Sequence, residues 1–226
     1  QCERQPQHVY AVMANIAGDS ASEVHHSDNS GGRWEKGGQQ MSAAGAGIGQ
    51  ASYDLMLEVA PDDPSVVVCG ALEICRSTDH GSTWTKILDW LNYDRGDKAQ
   101  HADQHIAMFD RGDHRRLWVG NDGGLIVARR LGDAPMSNGF WRKRSHGIYA
   151  GQCQDLSINP QLPFLCAIGL QDNGSQLSYG GPTCIQVGGG DGGAVAFNLP
   201  NPRQLLVTWQ RPLPPGAPTR QGIELV

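Results

Sequence analysis

The chain has 226 residues, 30 of them glycine and 13 proline, and a formal net charge of −5. That length holds one sizeable core. The absence of a basic stripe argues against a nucleic-acid partner, and no apolar run is long enough to span a membrane.

Glycine stands at about twice its usual share, and Asp, Asn and Pro cluster throughout. This predicts an all-β fold of many short strands joined by turns. In chain order, a first unit runs from His8 to Lys36 and contains Ser27-Asp28-Asn29-Ser30-Gly31-Gly32-Arg33-Trp34. Residues 37–52 follow as a loop rich in Gly, Ala and Ser. A second unit, Tyr53 to Leu88, holds the sharper copy Ser77-Thr78-Asp79-His80-Gly81-Ser82-Thr83-Trp84. Each position in that copy has a physical role. Asp79 accepts from the turn's own N–H groups, Gly81 takes positive φ, Ser77 and Thr83 flank the turn, and Trp84 folds back as an apolar anchor. Ser27, Asn29, Gly31 and Trp34 are the matching positions upstream.

A third unit spans His101 to Arg144, a fourth Gln152 to Val187, and a partial fifth begins at Gly190. Turn anchors Pro64, His114, Pro163 and Pro202 recur every ~40–50 residues, the period of a four-stranded propeller blade. Pro212 to Pro218 is a rigid loop, and the chain stops at Val226 in mid-pattern. The reading is therefore one domain, 1–226: a β-propeller of four-stranded antiparallel blades, about four to five of a seven-bladed ring. Other chains or further sequence would complete it.

Up-and-down topology puts first-to-second and third-to-fourth turns at one end of a blade. It puts second-to-third turns and blade crossovers at the other. Asp103, Asp122, Asp172 and Asp191 then rim a single end. Trp90 and Tyr93, in the crossover into the third unit, would join them there and could stack a sugar ring. His101, Asp103 and His105 alternate, so on a strand they would share a face and could hold a divalent metal; a hydrogen-bonded polar cluster is the competing reading. A Ca²⁺ held by Asp carboxylates and Gly carbonyls is a second cation possibility, without an EF-hand loop to support it. Asn173-Gly174-Ser175 fits a glycosylation sequon but reads as turn chemistry.

Six cysteines, Cys2, Cys69, Cys75, Cys153, Cys166 and Cys184, form no Cys-x-x-Cys pair. They are read as disulfides of an oxidising compartment, with Cys153 and Cys166 on neighbouring strands; six reduced, buried thiols are the competing reading. This places the protein as secreted, periplasmic or on the cell surface.

His101-Ala102-Asp103-Gln104-His105, Gly120-Asn121-Asp122-Gly123-Gly124, Gln171-Asp172-Asn173-Gly174 and Gly190-Asp191-Gly192-Gly193 occur in that order. Together with Ser77 to Trp84 they resemble the WD40/YVTN/BNR-repeat (Asp-box) proteins of the glycosyl-hydrolase BNR and sortilin-like group. Tyr53 to Val207 carries the resemblance. It implies a propeller and a likeness to xyloglucanases, which pair two seven-bladed propellers and hydrolyse glucans with two aspartates.

Three functions follow as expectations. The first is an extracytoplasmic binding or scaffold module for a glycan or protein, with Trp90, Tyr93, His101, His105, Asp172, Asn173 and Asp191 on its binding face. The second is a glycoside hydrolase using Asp103 and Asp122, since such an enzyme needs two carboxyls across the scissile bond. The third is a structural subunit whose open blade edges pair with another chain.

Overall fold

The computed structural model describes residues 1–15, 21–38, 50–89, 101–111, 113–131, 141–148, 151–209 and 222–224. It divides into two compact units, Gln1–Ile148 and Tyr149–Val226.

The first unit contains three antiparallel sheets. One consists of β1 (Val9–Ala14), β2 (Ala21–Ser27) and β3 (Glu35–Lys36). A single helical turn, α1 (Ala51–Asp54), precedes the second: β4 (Met56–Val59), β5 (Val67–Gly70), β6 (Ile74–Ser77) and β7 (Thr85–Leu88). The third is β8 (Gln104–Asp110), β9 (Asp113–Asn121), β10 (Gly124–Arg129) and β11 (Trp141–Lys143). In the second and third sheets the strands pair in strict sequence order, which is the meander of a propeller blade.

Strand burial follows from this stacking. Val67, Val68, Cys69 and Gly70 are all buried, because the second sheet is covered on both faces and so needs no polar side. Between the first and second sheets lie Tyr10, Val24, Val67, Cys69, Cys75 and Trp84. Between the second and third lie Val68, Ile74, Leu88, Phe109, Leu117 and Trp141. The Trp141 indole is fully buried, and its Nε1 donates to the Ile87 carbonyl at 2.9 Å, tying the outer strands of two sheets.

The second unit has two antiparallel sheets. The first is β12 (Gln152–Ile158), β13 (Cys166–Gln171), β14 (Gly174–Ser178) and β15 (Cys184–Gly188); the second is β16 (Gly192–Phe197), β17 (Gln204–Trp209) and β18 (Gly222–Glu224). Side chains of β12 brace the backbone of β16: Val195 N donates to Asp155 Oδ2 at 2.9 Å and Phe197 N to Ser157 Oγ at 3.0 Å. Leu165, Ala167, Leu177, Val195, Phe197, Leu205 and Val207 fill the space between the sheets. A Cβ on Gly169 would stand 1.8 Å from the Gly193 carbonyl oxygen, so glycine there permits a backbone contact.

Both turns are held by their own side chains, but only the second buries its tryptophan. Ser77 Oγ donates to Asp79 Oδ1, Thr83 N and Oγ1 donate to the Asp79 carboxylate, and Gly81 N donates to Ser77 Oγ at 2.8 Å. Gly81 has φ +83°, and Trp84 is buried. In the upstream copy Asn29 accepts from Ser27 Oγ and Arg33 N, but Trp34 is 43% exposed.

These turns also set the strand correspondence. His80 N donates to the Ser65 carbonyl, and Ser30 N donates to that of Gln7. Gln7 therefore occupies the place that Ser65 holds just before β5. Strands β1, β2 and β3 match β5, β6 and β7, the second to fourth strands of a blade. The unit expected from His8 is thus three-quarters of a blade among the described residues, because its innermost strand has no counterpart there.

Tyr53, the expected start of the second unit, lies in α1, and the first strand there begins at Met56. The expectation of disulfides changes. The six cysteines are unbridged thiols. Cys153 and Cys166 do lie on neighbouring strands, but Cys153 faces Leu170 and Cys166 faces Ile158, at opposite ends of an antiparallel pair. Cys69 and Cys75 face each other across β5 and β6.

Candidate functional site

In the first unit the end opposite the turn motifs gathers acidic side chains from two sheets. Asp54 closes α1 just before β4, Asp103 immediately precedes β8, and Asp122 sits in the turn between β9 and β10. Asp103 has φ +65°, so the chain turns sharply there. His101, Asp103 and His105 consequently do not lie along one strand face. His101 Nδ1 meets the Ala102 carbonyl, while His105 Nε2 points to Asp122 Oδ1 at 2.7 Å.

Buried amides hold the base of the cluster. Gln104 is fully buried; its N donates to the Ala71 carbonyl at 2.8 Å and its Nε2 to the His101 carbonyl at 2.5 Å. Asn121 Nδ2 donates to Gln104 Oε1 at 3.2 Å, and Gly123 N donates to Asn121 Oδ1. The crossover into the third sheet is therefore locked to a turn of the second.

Above this base, Tyr53 OH donates to Asp122 Oδ2 at 3.0 Å, opposite the His105 contact. The Tyr53 and His105 rings meet edge to face, with centroids 5.0 Å apart. Gln50 Nε2 donates to Asp103 Oδ1 at 3.2 Å. Carboxylate oxygens of Asp103 and Asp122 approach within 4.8 Å.

Asp54 is the residue that sequence reading missed. It is 1% exposed, and its carboxyl lies against that of Asp103. Burial, and then the charge and hydrogen bond of Asp103, push its pKa up to about 8. Asp103 is raised as well, by burial and by the charge of Asp122, while its contact with Asp54 holds it down. The two carboxyls share one buried site, so the ionised form of each is disfavoured there. The only signal in the sequence was positional: Asp54, like Asp103 and Asp191, stands one or two residues ahead of an innermost strand.

In the second unit Asp172 (φ +59°) and Asp191 come together, Asp172 N donating to Asp191 Oδ1 at 3.2 Å. Asn173 Nδ2 donates to the Gln171 carbonyl, as turn chemistry requires. Trp90 and Tyr93 lie outside the described residues.

As a cation site, the first-unit cluster offers Asp103 and Asp122. Two Asp122 oxygens are already engaged by Tyr53 and His105, so a Ca²⁺, which takes six to eight oxygens, would have to displace them. Chemically, the cluster presents three neighbouring carboxyls, with most polar atoms of Asp103 and Asp122 satisfied within the protein.

Fold and topology define the class: an all-β protein built of propeller blades. No family model matches the chain, and no curated protein matches it. Among solved structures it is similar to the GH74 xyloglucanase from Xanthomonas campestris, with 17% identity and a TM-score of 0.47, over 93% of this chain and 34% of that one. It is also similar to YCF48 from Cyanidioschyzon merolae, with 12% identity and a TM-score of 0.38, over 91% and 76% of the two chains. A third likeness is to the Cps50 (Swd1) β-propeller domain from Myceliophteria thermophila, with 9% identity and a TM-score of 0.37, over 90% and 64%. The chain spans about a third of the length of the xyloglucanase.

Proposed function

We propose that this chain is part of a BNR-type, Asp-box propeller from an extracytoplasmic protein, and that it works as a binding or scaffold module for a glycan or protein partner. The observation that carries this reading is the engagement of the acidic cluster by its own neighbours. Asp103 is 7% exposed and Asp54 1% exposed, while Asp122 is held from both sides by Tyr53 and His105. A general acid or nucleophile must touch the scissile bond. Buried carboxyls tied to Gln50 and to each other instead set the shape and charge of an end face. Tyr53, 46% exposed, presents its ring there. Fold alone does not select between binding and catalysis. The extracytoplasmic location comes from reading the six cysteines as disulfides, and all six are unbridged here, so secretion is the part of this proposal to be tested by fractionation.

The glycoside-hydrolase reading is favoured by one feature, a buried Asp54 whose pKa is pushed up beside two further carboxyls, as a general acid requires. A structural-subunit reading is favoured by exposed apolar residues in the second unit, among them Ile158 at 55% and Leu206 at 47%.

The test uses the full-length gene product with xyloglucan, cellulose and mixed-linkage β-glucan, measuring retention on the polysaccharide and release of reducing ends. Retention without release, weakened in Tyr53→Ala, is the expected result. Release that disappears in Asp103→Asn and Asp122→Asn would transfer the assignment to the hydrolase.

A further inference from the structure

A second cluster lies at the other end of the first unit, where the two turn motifs sit. His8 immediately precedes β1, His26 lies on β2 opposite Tyr10, and His80 occupies the turn between β6 and β7. Each ring offers a nitrogen, and the three nitrogens all fall within 4.8 Å of one another. His8 Nδ1 and His26 Nε2 are 2.9 Å apart. All three side chains are half-buried, so solvent has access to the site.

Tyr10 determines which nitrogen His80 can offer. Its hydroxyl has one proton and two partners: the Pro64 carbonyl at 2.5 Å and His80 Nδ1 at 2.8 Å. The carbonyl can only accept, so the hydroxyl proton goes to Pro64. The phenolic oxygen must then accept from His80 Nδ1–H. This fixes His80 as the Nδ1–H tautomer and leaves the Nε2 lone pair free for a ligand. A second hydrogen bond that orients an imidazole in this way is the usual companion of a metal-binding histidine.

Burial and the neighbouring His80 and His8 are the larger influences on His26, and nearby acidic groups oppose them. Asp28 and Glu35 are the acidic groups that act on His26, and Glu35 is its cross-strand partner, itself paired with Arg33. The three rings are near parallel, His26 and His80 with centroids 4.9 Å apart and His8 and His26 5.1 Å apart. Because the rings stack, a shared ion requires them to rotate about their side-chain bonds, with the proton between His8 and His26 moved to a ring's outer nitrogen, so that three lone pairs face one point.

We propose that His8, His26 and His80 form a binding site for a divalent transition-metal ion of the Zn²⁺ class, with Tyr10 as the residue that orients His80. An all-imidazole donor set suits Zn²⁺, Cu²⁺, Ni²⁺ or Co²⁺ and disfavours Ca²⁺ and Mg²⁺, which take oxygen. With three protein ligands, the fourth position of a tetrahedral ion is open to water or an external ligand. The ion would also join the first and second sheets, because His80 belongs to one and His8 and His26 to the other.

Protein stripped with a chelator and titrated with ZnCl₂ by calorimetry tests this. The expected result is one Zn²⁺ per chain and a higher thermal midpoint, with the bound zinc showing an all-nitrogen/oxygen shell with imidazole scattering by X-ray absorption. His26→Gln and His80→Gln should abolish binding, and Tyr10→Phe, which keeps all three imidazoles, should weaken it by about 10–100-fold. The absence of a stoichiometric site, a shell containing sulfur, or affinity unchanged in His26→Gln and His80→Gln would overturn the proposal. The absorption spectrum of the unmutated protein decides the matter if the variants fail to fold.

Discussion

At the residue scale the most consequential group is Asp54, a carboxyl buried against another carboxyl. Its pKa rises from an ordinary 3.8 to about 8 on folding. The folded chain therefore holds more protons than the unfolded chain between those values. Its stabilising contribution is full below about pH 4 and is lost as pH rises towards about 8. Asp103, also raised, acts in the same direction. We expect thermal midpoints in buffers from pH 4 to 8 to fall with rising pH, and Asp54→Asn, which has no titration, to flatten that slope. A slope unchanged by the substitution would mean that Asp54 is ionised at neutral pH. Asp79 works in the opposite sense: burial alone would raise it, but hydrogen bonds from Thr83, Ser77 and Ser82 lower it. Its contribution is present at neutral pH and lost in acid. Asp79→Ala removes the acceptor for Ser77 Oγ, Thr83 N and Thr83 Oγ1 and should cost about 1–3 kcal/mol in urea unfolding.

At the element scale each sheet depends on its neighbours. Trp141 shows this dependence, since it begins β11 yet hydrogen-bonds to the carbonyl that follows Lys86 in β7. Trp141 also completes a series: Trp34 precedes β3, Trp84 precedes β7, and Trp141 opens β11. Trp141→Ala should destabilise the chain by about 3–5 kcal/mol. Trp141→Phe keeps most of the packing but leaves the Ile87 carbonyl unpaired, a loss of about 1–3 kcal/mol. Chemical denaturation of the two variants separates packing from hydrogen bonding. In the second unit, Gly169→Ala places a methyl group where the Gly193 carbonyl oxygen lies, so β13 and β16 cannot keep their contact. Hydrogen exchange should then report faster amides in β16, beginning with Val195 and Phe197.

At the scale of the whole molecule, apolar residues are left exposed on the sheets of the second unit. Ile158 and Leu156 are exposed on β12, and Leu206 on β17. Their neighbours Asp155 and Ser157 on β12 are less exposed, and Leu205 and Val207 on β17 are buried, as in a blade with one face covered and one open. Sedimentation velocity should show association rising with concentration, and Ile158→Lys with Leu206→Lys should reduce it. No helix among the described residues is long and apolar enough to cross a membrane.

The amino-acid order by itself determined the strand-and-turn pattern. Turn residues act within four positions of themselves, so Asp79, Gly81 and Trp84 could be assigned without knowing the rest. The same locality made the end-to-end alternation of turns legible, and with it the meeting of Asp103 and Asp122. Tertiary structure decided everything that depends on groups far apart in the chain. It brought Asp54 against Asp103, placed His80 beside His8 and His26, set Cys153 apart from Cys166, and revealed that the first sheet begins at a blade's second strand. Proton affinity, ligand convergence and disulfide reach are set by distances across sheets. Those distances arise only once each blade has buried its faces on the next.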